Sequence, residues 1–171
     1  MLHLTLAPAM NLLRSILLAA LLLYLPACGF HLRGHTSLPA ELESIHLLAE
    51  DLDARQRALL SRQLQQAGAS LQVADNPEQV QLRVSLGPLA SRHLAAAAGS
   101  GKTIVRLSRQ LTYRLGKAGG EPLIETTTLL QQLDLELDDN NLLDSDERIR
   151  RAGESLDRAL IEQLIFGLKR L

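Results

Sequence analysis

The string GSGKT at residues 99–103 puts a lysine and a threonine behind glycines, the local chemistry of a loop that cradles phosphate. That loop wants G-x-x-x-x-G-K-[ST], and its first glycine position holds Ala96. The residues that follow alternate as a strand does, so no helix N-terminus would face a phosphate, and a hairpin loop accounts for the glycines. His31 and His35 stand four apart, but Gly34 between them argues against the helix that would bring both to one metal, so they read as tether residues. His46 and His93 have no carboxylate or nucleophile beside them in sequence, which leaves a hydrolytic triad unsupported. The acidic run DLELDDNNLLDSDE at 134–147 lacks the Asp-x-Asp-x-Asp-Gly pattern of a calcium loop and reads as a strand end and a helix cap. We therefore expect no catalytic residues, no metal and no cofactor.

A set of cations is more informative. Arg106 and Arg114 share one parity of an alternating segment, Lys102 opens it, Arg83 falls on a neighbouring strand and Arg92 lies near the intervening loop. Two readings stand: a solvated sheet face, because strands exposed on one side carry charge there, or an anion site in which Lys and Arg meet phosphate.

Cys28 is the one cysteine of 171 residues, so the chain has no internal disulfide and no cysteine metal cluster. It follows ILLAALLLYL (16–25), an apolar run of ten behind Arg14 and ahead of Pro26 and Ala27. A membrane-spanning helix needs about twenty such residues, whereas a cleavable signal peptide needs this many. Leu25-Pro26-Ala27-Cys28 resembles the lipobox of bacterial lipoproteins, although Pro26 departs from the small or β-branched residue usual there. The resemblance implies a mature chain beginning at Cys28, carrying a diacylglyceryl thioether and an N-acyl chain, an anchor stable where one chain is marginal. Gly29, where inner-membrane retention is associated with Asp, implies sorting to the outer membrane, and Met10 is an alternative start.

The elements that would position these residues are read from periodicity. We expect a signal peptide at 1–27, a lipidated tether at 28–39 and one α+β domain at 40–171. Within the domain, 44–48 is a short apolar strand. Leu52, Leu59, Leu60, Leu64 and Ala67 recur at helical spacing before a left-handed stop at Gly68. Residues 71–74 are a brief strand, and Val80, Leu82, Val84 and Leu86 alternate with polar residues. After a loop centred on 95–101, Val105, Leu107, Leu111, Tyr113 and Leu115 face one way and Arg106, Ser108, Gln110, Thr112 and Arg114 the other. Residues 123–137 form the next strand, and Asp144 with Glu147 caps a helix whose stripe runs Ile149, Ala152, Leu156, Leu160, Leu164 and Leu168. The expected fold is a small, mostly antiparallel four-stranded sheet with two helices packed on one face. Net charge is −1 and aromatic content 2%, which argues against a nucleic-acid partner because both the field and the stacking platforms are missing.

Cys28-Gly29-Phe30-His31-Leu32-Arg33-Gly34 resembles the opening of mature proteins of the LptE family, lipopolysaccharide-assembly lipoproteins that begin with Cys-Gly, an aromatic and His-Leu-Arg. Pro39, the strand at 44–48, SRQLQQAG in the first helix, the long hairpin and a last helix ending EQLIFGL fall in the family's order, so the likeness covers 28–171. It implies a lipoprotein anchored on the periplasmic side of the outer membrane, which plugs and helps assemble the LptD β-barrel and contacts lipopolysaccharide, with no bond made or broken. The family's basic residue at the hairpin loop has no counterpart in Ala97, Ala98 and Gly99, and a second family lysine falls near Asp144, of opposite charge. Lys102, Arg106 and Arg92 are the remaining candidates for lipopolysaccharide contact. The competing class is a free-standing, periplasm-facing lipoprotein that binds a small ligand, which requires a pocket with convergent polar groups.

Overall fold

The computed structural model describes residues 37–73, 79–97, 101–117 and 119–171. Cys28, the signal segment, the tether to residue 36, His31 and His35 lie outside the described residues. After a single 3-10 turn at Ala40–Leu42, the chain forms β1 (Ser44–Glu50), α1 (Ala54–Gln66), β2 (Ser70–Gln72), β3 (Val80–Leu86), β4 (Ala90–Ala97), β5 (Lys102–Lys117), β6 (Pro122–Asp138) and α2 (Leu142–Leu168). Local chemistry accounts for the helix ends. The Asp53 carboxylate accepts from the Gln56 N–H at 2.8 Å while the Gln56 side chain accepts from the Asp53 N–H at 2.9 Å, a reciprocal cap that starts α1. Gly68, at φ 101°, stops it.

The last helix starts a turn earlier than the sequence predicts. Asn141, and not Asp144, is its cap, accepting from the Asp144 N–H. The apolar stripe could not mark this turn, because Leu142 and Leu143 are exposed and the helix begins before it reaches the core.

The sheet has six strands rather than four, and it is mixed rather than mostly an antiparallel meander. β1 runs parallel to both β2 and β3, whereas β3, β4 and β6 are all antiparallel to β5. The crossover through α1 returns the chain to the same end of the sheet, which is what a parallel neighbour requires. β3 and β4 lie one after the other along a single edge of β5, opposite residues 111–117 and 102–108, and β6 covers its other edge. The break between them is at Gly87-Pro88-Leu89, where the Gly87 N–H still reaches the Gln110 carbonyl at 2.9 Å.

Both helices pack on one face of the sheet, as expected. Leu60 and Leu64 of α1 join Leu160, Ile161, Leu164 and Leu168 of α2 over Ile45, Leu82, Val84, Leu111 and Leu115. A smaller cluster, Val105, Leu107, Ala152 and Leu156, lies under the first half of α2. No helix among the described residues is long and apolar enough to cross a membrane.

Candidate functional site

On the face of the sheet away from the helices, register alone gathers the expected cations. Arg92 on β4 stands directly opposite Arg106 on β5, and Arg106 stands opposite Asp134 on β6. Lys102 shares the face of Arg106 at the start of β5. Arg92 therefore sits within a strand and not beside a loop: β4 is exposed along residues 90–95, so its sequence, ASRHLAAA, has no alternation to announce it.

Lys102 and Arg106 are not free charges. Arg106 holds Asp134 through two contacts, Nε to Oδ1 at 2.7 Å and Nη2 to Oδ2 at 2.8 Å, and Lys102 Nζ reaches Glu136 Oε1 at 2.7 Å. The hydrogen bond from Arg106 holds the Asp134 carboxyl below its ordinary value, and Lys102 does the same to Glu136. Arg92 forms no ion pair among the described residues. The exposed, single-contact Lys102–Glu136 pair is of a kind that contributes little, so an anion could displace Glu136 readily, whereas the two-contact Arg106–Asp134 pair is the firmer of the two. Further along the same face, Arg83 and Arg114 oppose one another across β3 and β5, with Glu50 3.8 Å from Arg83.

Gly101 turns with φ 63°, and Lys102 and Thr103 enter β5, so no helix follows the glycines. Thr103 instead donates to Asp139 at 2.9 Å. His46 lies on β1 and His93 is exposed on β4, and among the described residues no three His, Cys, Asp or Glu side chains gather as a metal site.

One polar cluster escaped the sequence reading. Arg109 has the inward parity of β5, and its Nε is 3.0 Å from Asp157 Oδ1 on α2, with side chains 14% and 10% exposed. Gln56 Nε2 of α1 donates to the other oxygen of Asp157 at 2.8 Å. A cation at a core-facing position of a strand needs a buried anion, and that parity was the available signal.

Neither protein-family models nor curated protein sequences give a match to the chain. Solved structures do. The rare lipoprotein B of Shewanella oneidensis superposes with a TM-score of 0.63 at 12% identity, over 73% of this chain and 92% of that one. The minor lipoprotein of Acinetobacter baumannii gives 0.60 at 16% identity, over 75% and 92%. An uncharacterized lipoprotein B of Nitrosomonas europaea gives 0.57 at 17% identity, over 80% and 88%. At these identities the likeness is one of fold.

Proposed function

We propose that this chain is an outer-membrane lipoprotein of the LptE kind, anchored through acylated Cys28, that plugs and helps assemble an LptD-like β-barrel and touches lipopolysaccharide in transit. The observation that carries this reading is a conjunction. A domain sharing its fold with three solved bacterial lipoproteins follows directly on a lipobox-like cysteine and the opening CGFHLRG. In this reading the chain catalyses nothing. Its helix-free face offers Arg92, Arg106 and Lys102 to anionic groups, and Asp134 and Glu136 hold two of these cations until a phosphate replaces them.

The test is affinity purification of the tagged chain from outer membranes in mild detergent, with mass spectrometry of its partners and its N-terminal peptide. Recovery of a β-barrel at equal stoichiometry together with diacylglyceryl-modified Cys28 supports the proposal. Recovery of a monomer with an unmodified thiol overturns it and favours the free-standing small-ligand reading.

A further inference from the structure

A cavity of about 550 Å³ opens between α1, α2 and the β3–β4 break, within the size range of small-molecule sites. One stripe of each helix lines it: Arg55, Leu59 and Arg62 at i, i+4 and i+7 on α1, and Arg150, Glu154 and Arg158 at i, i+4 and i+8 on α2. Leu89 forms an apolar wall, seated so closely on α2 that a Cβ at Gly153 would lie 3.1 Å from Leu89 Cδ2. Arg109 and Asp157, the pair already described, also line it.

The charges do not balance. Five arginines and three carboxylates line the cavity, a surplus of two positive charges. Each carboxylate is already engaged: Asp53 caps α1, Asp157 holds Arg109 and Gln56, and Glu154 is shared between Arg55 and Arg150. The Arg55 hydrogen bond in particular holds the Glu154 carboxyl below its ordinary value. Arg62 and Arg158, one from each helix, form no ion pair among the described residues. Both line the same cleft, and an anion within reach of two cations that lack a partner carboxylate is attracted by both. A plain solvated face would not be concave, nor walled by leucines that lower the local dielectric.

We infer that this inter-helix cavity is a binding site for a phosphate group, held by the paired forks of Arg62 and Arg158 with Arg55 beside them. A phosphate monoester or diphosphate carries the charge that the surplus calls for. The source is either a soluble phosphorylated molecule or a lipid headgroup. The site lies on the helix side of the sheet and is independent of Arg92, Lys102 and Arg106, so neither proposal depends on the other.

The experiment follows arginine Nε–Hε resonances of the full chain in neutral detergent during titration with inorganic pyrophosphate and, separately, with micelles containing phosphatidic acid. Saturable shifts at Arg62 and Arg158 are expected. The Arg62→Gln/Arg158→Gln variant should bind about tenfold or more weakly, the loss of charge-assisted hydrogen bonds, with a thermal midpoint no lower than the native chain's because both residues are exposed and lack a partner carboxylate. A response to pyrophosphate alone supports a soluble ligand, and a response to phosphatidic acid alone supports a lipid headgroup. No saturable response to either probe overturns the inference. So does full binding by that variant, or loss of binding in a Lys102→Gln/Arg106→Gln variant.

Discussion

Arg109 of β5 and Asp157 of α2 meet at 3.0 Å on the level where the apolar core is divided in two. Leu107 and Leu156 belong to the smaller cluster and Leu111 and Leu160 to the larger, so each partner sits between the two clusters on its own element. The contact is an ion pair without the alignment of a hydrogen bond, and Gln56 supplies Asp157 with its aligned one.

Removing one partner strands the other in a nearly dry setting. Asp157→Ala should destabilise the fold by about 3 kcal/mol, whereas Asp157→Leu combined with Arg109→Met should recover most of that loss. Urea unfolding of the single and double variants measures both. A single variant within experimental error of the native chain would show that the pair is solvated.

On the outer face, Asp134→Asn releases Arg106 from its bidentate partner. Under the proposed function, this variant should bind purified lipopolysaccharide more tightly and Arg106→Gln less tightly. Neither should move the thermal midpoint appreciably, since the pair is exposed. Equal binding by both variants would remove Arg106 from the lipopolysaccharide contacts.

Glu147 accepts from Arg150 and Arg151, which hold its carboxyl down at about 2. A carboxyl depressed on folding stabilises the native state fully above its unfolded value of 4.5, and that contribution is lost as pH falls from there toward 2. The thermal midpoint should therefore fall across this window, and Glu147→Gln should flatten part of the decline. Glu154, held down chiefly by its hydrogen bond from Arg55, contributes with the same sign. An identical pH profile in the variant would dismiss the Glu147 contribution.

Gly116 tolerates no side chain for a reason of backbone proximity. A Cβ there would lie 2.9 Å from Pro122 Cα and 3.4 Å from the Glu121 carbonyl oxygen, at an irregularity in the β5–β6 pairing. Gly116→Ala must push the two strands apart and should destabilise by about 1–3 kcal/mol in chemical unfolding. Gly120→Ala, whose nearest neighbour is the Lys117 side chain at 3.4 Å, is the comparison and should be milder.

Periodicity made the helices and most strands legible. The stripe Ala152, Leu156, Leu160, Leu164 and Leu168 is buried as read, and Val105, Leu107, Leu111, Tyr113 and Leu115 all face the core. β4 was not legible, because alternation exists only where one face is buried and this strand is exposed along residues 90–95. The parallel pairing of β1 was not legible either: a period of two reports faces, not the direction of neighbours. The outer cations were found because they share a parity on one strand. Their neutralisation by Asp134 and Glu136 depends on the β5–β6 register, which the sequence states nowhere locally. Asp157 was missed because its partner is 48 positions away and its place beside the apolar stripe resembles a solvated position.

The placement of β3 and β4 end to end on β5 also has a consequence in time. The end holding β3 is clamped by both helices and the larger core, whereas the end holding β4 rests on four buried residues and a single helix. The amides of residues 102–108 should therefore exchange with deuterium through partial openings that leave residues 111–115 protected, so that one continuous strand carries two rates of opening.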